Sequence, residues 1–204
     1  PGTGKTRCLV EVVRQLVARG ERVLVSAASN LAVDNLAERL ADHGAPVLRL
    51  GHPARVSPSV EAHTLDALLE KTPEHQLARR WTREAVALRR KARARFERGQ
   101  IGHRARREAF GEAGRLMRDA RAQLRSAETL LLARHPIVCA TAAGADAALL
   151  RKTHFDHVVL DEATQATDPI ALVALWRAAR VTMAGDPRQL PPTVIDPDAE
   201  RGGL

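Results

Sequence analysis

The 204 residues include no tyrosine, three phenylalanines and two tryptophans, so stacking of bases on aromatic rings has little to draw on. Cysteine is scarcer still. Cys8 and Cys139 stand far apart with no C-x-x-C partner, which argues against a disulfide framework and against a zinc or iron–sulfur site. Both read as buried thiols in a reducing compartment, and a cytoplasmic (intracellular) location is expected. No apolar run approaches the ~18 residues needed to cross a bilayer, so no membrane partner is expected. Eight histidines show no ligand spacing, and His154 and His157, beside an apolar run, read as surface residues. With 45% hydrophobic and 27% charged residues, the chain is not disordered. Pro1 stands where a Met would start a reading frame and no signal-like segment follows, so the natural N-terminus is expected upstream and targeting is not legible.

What is present begins with charge. The net charge is +8, but residues 79–125 hold 16 Lys+Arg against 5 Asp+Glu, leaving 16 against 19 in the rest. A basic block on a mildly acidic chain fits either a polyanion contact or a solvated helical surface.

The first part alternates helix and strand. Leu9, Val12, Val13, Leu16 and Val17 recur at helical spacing, and Gly20 stops that helix. Residues 22–27 read as a short buried strand, residues 31–43 as a helix ended by Gly44, and residues 47–50 as another strand. Residues 64–134 break the rhythm. Leu77, Trp81, Ala85, Leu88, Ala92 and Phe96 follow at steps of three or four. Beyond a turn near residues 99–102, Ala109, Ala113, Leu116, Ala120, Leu124, Ala127 and Leu131 do the same. This predicts a helical hairpin with its stripes packed together and arginines outside, with Trp81 and Phe96 in its core. Strands are then expected at 137–141, 157–160 and 180–184. A helix over 168–176 is expected to be capped by Asp168-Pro169. Buried strands separated by helices predict an α/β fold with a parallel sheet. The expected division is 1–63 and 135–204 for the sheet domain and 64–134 for an inserted basic helical subdomain.

Three segments carry chemistry. Pro1-Gly2-Thr3-Gly4-Lys5-Thr6 is the end of a phosphate-binding loop. Glycines let backbone N–H groups close on phosphate oxygens at a helix N-terminus. This makes Gly2, Thr3, Gly4, Lys5 and Thr6 ATP-binding candidates, with Lys5 on the β- and γ-phosphates and the Thr6 hydroxyl on Mg²⁺. The strand at 157–160 runs into Asp161-Glu162, where Asp161 suits the metal's hydration shell and Glu162 the polarising of a water. The loop GDPRQLPP, residues 185–192, presents Gln189 to the same sheet edge, where an amide can bond a phosphate oxygen or the attacking water, with Asp186 beside the nucleotide.

In order, PGTGKT, SAASNLAVDNL, IVCATAAGA, VVLDEATQATDP and MAGDPRQLPPTV resemble motifs I, Ia, Ic, II and III of superfamily 1 helicases. SNLAVDNL, DEATQ and GDPRQLPP resemble the up-frameshift branch, and VLRLGHPARV its immunoglobulin mu-binding-protein type. The likeness implies a RecA-like P-loop NTPase fold with a parallel sheet and an inserted helical hairpin. It also implies ATP and Mg²⁺ as cofactors and translocation 5′ to 3′ on single-stranded DNA or RNA. Family pattern puts Ser29, Asn30 and Thr141 on the strand's phosphates and sugars, although Ser29 equally suits a helix N-cap. Asp34 and Asn35 suit local helix-end bonding. The strand before the phosphate loop, and the second RecA-like domain with its transition-state arginines, are expected outside these residues, and the fragment alone is expected to be inactive. The competing readings are an ATP-switched nucleic-acid-binding protein that does not unwind, and another P-loop enzyme. A kinase or ligase leaves GDPRQLPP and SNLAVDNL without a purpose.

Overall fold

The computed structural model describes residues 4–194 and 196–202. In chain order the elements are α1 (Lys5–Ala18), β1 (Val23–Ala27), α2 (Asn30–Asp42), β2 (Val47–Arg49), α3 (Leu65–Glu70), α4 (Pro73–Glu97) and α5 (His103–Arg134). They continue with β3 (Ile137–Thr141), β4 (His157–Asp161), α6 (Asp168–Leu175), β5 (Arg180–Met183) and α7 (Pro197–Arg201). The chain forms two compact units, one of Pro1–Ala67 with Leu132–Leu204 and one of Leu68–Leu131.

The first unit is built on five strands in the order β2-β3-β1-β4-β5, every pair parallel. Central strands with helices on their faces have no solvated side, which is why β1 reads VLVSA without alternation and is buried at all five positions. The helices supply matching stripes. Leu9, Val10, Val13 and Leu16 of α1 and Val33, Leu36, Ala37 and Leu40 of α2 pack with Val23, Val25, Ile137, Cys139 and Val159 of the sheet. Gly20 ends α1 as its sequence predicts. In the left-handed region (φ 82°) it donates to Val17 O while Glu21 N–H reaches back to Leu16 O, tying off carbonyls of the helix's last turn.

In the second unit α4 and α5 run antiparallel. Phe96 meets His103 edge to face with centroids 4.7 Å apart, and Arg89 lies 5.9 Å from the centre of the Phe110 ring. Ala78, Ala85 and Ala92 on α4 and Ala113, Ala120 and Ala127 on α5 are buried, each set seven apart, and Leu131 is buried near the end of α5. Small residues at heptad spacing make a narrow seam. Apart from Leu131, the large members of the predicted stripes, Trp81 and Phe96 among them, are therefore half-buried at its margins rather than in the core.

Other expectations need correction. Cys139 is buried, and burial pushes its thiol up to about 12, but Cys8 faces solvent from the outer side of α1. Thr167 rather than Asp168 is the N-cap of α6, and the helix stops before Trp176, which is 89% exposed. His157 opens β4 with most of its side chain covered. Its Nε2 lies 2.8 Å from Thr182 Oγ1, and desolvation lowers its pKa. Asp34 is not a local helix-end bonder. It is buried and paired with Arg49 at 2.7 Å, a contact between the first turns of α2 and the end of β2.

Candidate active site

Parallel strands deliver their C-terminal ends to one edge of the sheet, and ligands of such folds gather there. Register sets the levels. Ala27 at the end of β1 pairs with Thr141 on one side and Asp161 on the other, so all three end at one height. Beyond β4, a backbone bond from Ala163 N–H to Ala184 O (2.8 Å) ties the segment after Asp161-Glu162 to the end of β5.

Gly4 adopts φ 83° immediately before α1, a conformation that L side chains resist, and turns the chain into the helix. The N-terminus of α1 opens into a cavity of about 950 Å³ lined by residues that include Gly4, Lys5, Thr6, Glu162, Arg188 and Gln189. Gly2 and Thr3 lie outside the described residues. Free N–H groups and the positive end of the helix dipole make this mouth attractive to anions.

The candidate side chains converge on it. Thr6 Oγ1 stands 3.4 Å from Asp161 Oδ2, bringing a hydroxyl and a carboxylate together across 155 residues of chain. One hydroxyl, one carboxylate and a nearby anion site form the donor set that Mg²⁺ takes alongside phosphate and water, so these residues fit the ion. Lys5 Nζ lies 3.5 Å from Asp186 Oδ2. The Arg188 amide and the Gln189 carboxamide, with Lys5 beyond them, hold the Asp186 carboxyl below the ordinary range.

Glu162 is the strained residue of the site. Among the described residues it is the single non-glycine with positive φ (49°), a conformation that costs on the order of 1–3 kcal/mol. Its N–H donates to Asp161 Oδ1 at 2.9 Å, which holds the two acidic residues in a fixed relation. Its Oε2 is shielded and has no hydrogen-bond partner among the described residues. A desolvated carboxylate oxygen at a cavity wall is well suited to accept a proton from a water.

Residues without an individual assignment in the sequence reading complete the wall. Gln165 donates to Gln189 Oε1 at 3.1 Å, and Gln189 donates to Asp186 Oδ2 at 3.3 Å. The Thr164 hydroxyl accepts from Asp186 N–H and donates to Asp186 O. This clasp is close enough that a Cβ on Gly185 would fall 2.8 Å from Thr164 Cγ2 and 3.1 Å from its backbone N, so any larger residue at 185 would displace Thr164. The DEATQ string contained the signal: Gln165 follows Asp161 by four residues, just past a strand end.

Ser29, Asn30 and Thr141 lie along the same sheet edge on the other side of β1. Ser29 is the N-cap of α2 and accepts from Ala32 N–H at 3.2 Å, while remaining exposed. Thr141 Oγ1 accepts from Gly144 N–H at 3.1 Å. Asn30 Oδ1 accepts from Arg49 Nη2 at 3.0 Å. No cluster of three or more His, Cys, Asp or Glu able to hold a metal occurs among the described residues. No helix of the described residues is long and apolar enough to cross a membrane.

The family model described as AAA domain matches residues 1–197. The chain is 39% identical to the DNA polymerase alpha-associated DNA helicase A of Schizosaccharomyces pombe over 194 residues, covering 95% of this chain and 29% of that protein. It is 37% identical to DNA-binding protein SMUBP-2 of Mus musculus (all of this chain, 20% of the relative). It is 34% identical to regulator of nonsense transcripts 1 of Caenorhabditis elegans (all of this chain, 17% of the relative). The chain thus spans under a third of the length of each. With the family match covering nearly every residue, the chain belongs to the AAA domain family, in the superfamily 1 helicase branch of up-frameshift type.

Proposed function

We propose that this chain is a motor domain of an ATP-dependent helicase or translocase that moves 5′ to 3′ on single-stranded DNA or RNA. The observation that supports it most is the convergence of Lys5, Thr6, Glu162 and Gln189 on one cavity at a helix N-terminus, with Asp161 held against Thr6 and Asp186 against Lys5 and Gln189. Relatives named as DNA helicase and DNA-binding protein point the same way.

In this reading the α1 N-terminus and Lys5 hold the β- and γ-phosphates, and Lys5 exchanges the Asp186 carboxylate for them. Thr6 and Asp161 would hold Mg²⁺, which would supply neutralisation of phosphate charge. Glu162 takes the proton of the attacking water as the new O–Pγ bond forms and the bond to the ADP oxygen breaks, releasing ADP and phosphate. The Gln189 amide, steadied by Gln165 and Asp186, senses the γ-phosphate. Ser29, Asn30 and Thr141 meet the nucleic-acid backbone along the same edge, so nucleotide state and strand contact share a rigid sheet.

The test uses the full-length protein. Lys5→Ala should remove most ATP affinity and strand-stimulated hydrolysis, because the other cations at the cavity, Arg7, Arg39 and Arg188, are exposed at its rim. The parent should separate a duplex with a 5′ single-stranded tail and leave a 3′-tailed one intact. ATP turnover with no strand separation on either substrate would replace this reading by an ATP-switched binding or remodelling protein.

The basic hairpin is proposed as a second, weaker strand contact. Arg89 already lies over Phe110 and Arg93 pairs with Glu97, whereas Arg90 and Arg95 are exposed and make no ion pair among the described residues. Arg90→Gln with Arg95→Gln should therefore flatten the salt dependence of single-strand affinity by one or two contacts, at a slope of about 0.7 per neutralised phosphate. An unchanged slope returns the arginines to a solvated surface.

A further inference from the structure

Arg49 ends β2 with its side chain wholly buried, a rare position for a guanidinium, whose five N–H groups all need partners. Its Nε donates to Asp34 Oδ1 at 2.7 Å, its Nη1 to Leu50 O, and its Nη2 to Asn30 Oδ1 at 3.0 Å. The second Asp34 oxygen accepts Ser57 N–H at 2.7 Å, so both members of the ion pair are held from two sides. The fit is tight: a Cβ on Gly51 would stand 3.0 Å from Nη1.

Asp34 supplies the counter-charge, so Arg49 does not need Asn30 for neutrality. The consequence runs the other way. A guanidinium only donates, so whatever faces it must accept, and this settles which end of the Asn30 carboxamide points inward. With Oδ1 turned to Arg49, the two N–H groups of Nδ2 are the part left for a ligand. Asn30 is half-buried at the start of α2, beyond the end of β1, and with Oδ1 engaged by Arg49 its free polar group is the Nδ2 donor. Phosphate and sugar oxygens require that polarity.

We propose that Arg49, anchored by Asp34, is a positioning residue that fixes Asn30 as a hydrogen-bond donor to the nucleic-acid strand. The inference rests on the strand-contact reading of Asn30 given above and adds the device that sets its polarity. An untethered carboxamide turns either end outward and must be ordered on binding, whereas the tethered one is oriented beforehand.

The test is a double-mutant cycle in the full-length protein, with a fluorescein-labelled oligothymidylate titrated at fixed salt. Asn30→Ala should weaken binding about tenfold in the parent, the worth of one hydrogen bond to a charged acceptor. In the background Asp34→Leu with Arg49→Met, which replaces both charges by apolar groups, the same change should cost less than about twofold. ATP affinity should stay at the parent value throughout, since none of these residues lines the nucleotide cavity, and this separates positioning from loss of fold. If the paired background does not fold, Arg49→Lys takes its place, keeping the charge for Asp34 but lacking the fork that reaches Asn30. Asn30→Asp keeps an acceptor for Arg49 and should bind the strand more weakly than Asn30→Ala. Equal costs of Asn30→Ala in the two backgrounds would overturn the positioning role. No cost in the parent would overturn the strand contact beneath it. Asn30→Asp binding as well as the parent would overturn the donor polarity.

Discussion

Glu162→Gln in the full-length protein should bind ATP as the parent does and hydrolyse it about 10²–10⁴-fold more slowly. The amide keeps the size of the side chain and its place at the cavity wall but cannot accept a proton from water. Glu162 sits one residue beyond β4 in a left-handed backbone conformation, braced by its own N–H on Asp161 and with one carboxylate oxygen shielded and unpartnered among the described residues. Such strain persists where the surroundings over-determine it. Relieving it by Glu162→Gly should stabilise the loop and still abolish turnover. Single-turnover hydrolysis and fluorescent-nucleotide titration together read both effects, and a Glu162→Gln enzyme that turns over at the parent rate removes Glu162 from the base role.

Breaking the Arg49–Asp34 pair from one side should cost about 3–5 kcal/mol of unfolding free energy, because it strands a charge where water does not reach. The two side chains are 0% and 4% exposed. Asp34→Ala leaves the guanidinium without its counter-charge and Ser57 N–H without an acceptor. Arg49→Ala leaves a buried carboxylate and a cavity. Asp34→Leu with Arg49→Met removes both charges at similar volume and should recover most of the loss. Denaturant titration of the four proteins checks this. Single variants that lose less than about 1 kcal/mol would mean that the surrounding residues relax and admit water to the site.

Much of this molecule was legible before its structure. Buried β-branched runs such as HVVL have one use in a chain that also carries helical stripes, so the parallel α/β sheet followed from period and length. The predicted strand and helix boundaries were off by a residue or so, since caps and strand ends depend on hydrogen bonds that composition does not reveal. Thr167 replaced Asp168 as cap for that reason. The hairpin was readable as two amphipathic helices, but not that its seam would be alanine, because a stripe of mixed Ala, Leu, Phe and Trp does not say which members are innermost.

The residues proposed to meet the nucleotide stood out as local strings: a glycine-lysine-threonine run, an acidic pair after an apolar strand, and a proline-stiffened loop with an amide. Each string's residues are set by what phosphate, metal and water require nearby, so the sequence alone determined their identity. Their meeting was not local. Thr6 reaches Asp161 across 155 residues, and Gln165 reaches Gln189, because parallel pairing brings β4 and β5 out at one edge. Arg49 was hidden altogether, and Asp34 read only as a local helix-end bonder. Their residue types belong on the surface by default, and only tertiary packing, which closes α2, β2 and the loop at Ser57 around them, turned two surface-like charges into the buried clamp behind Asn30.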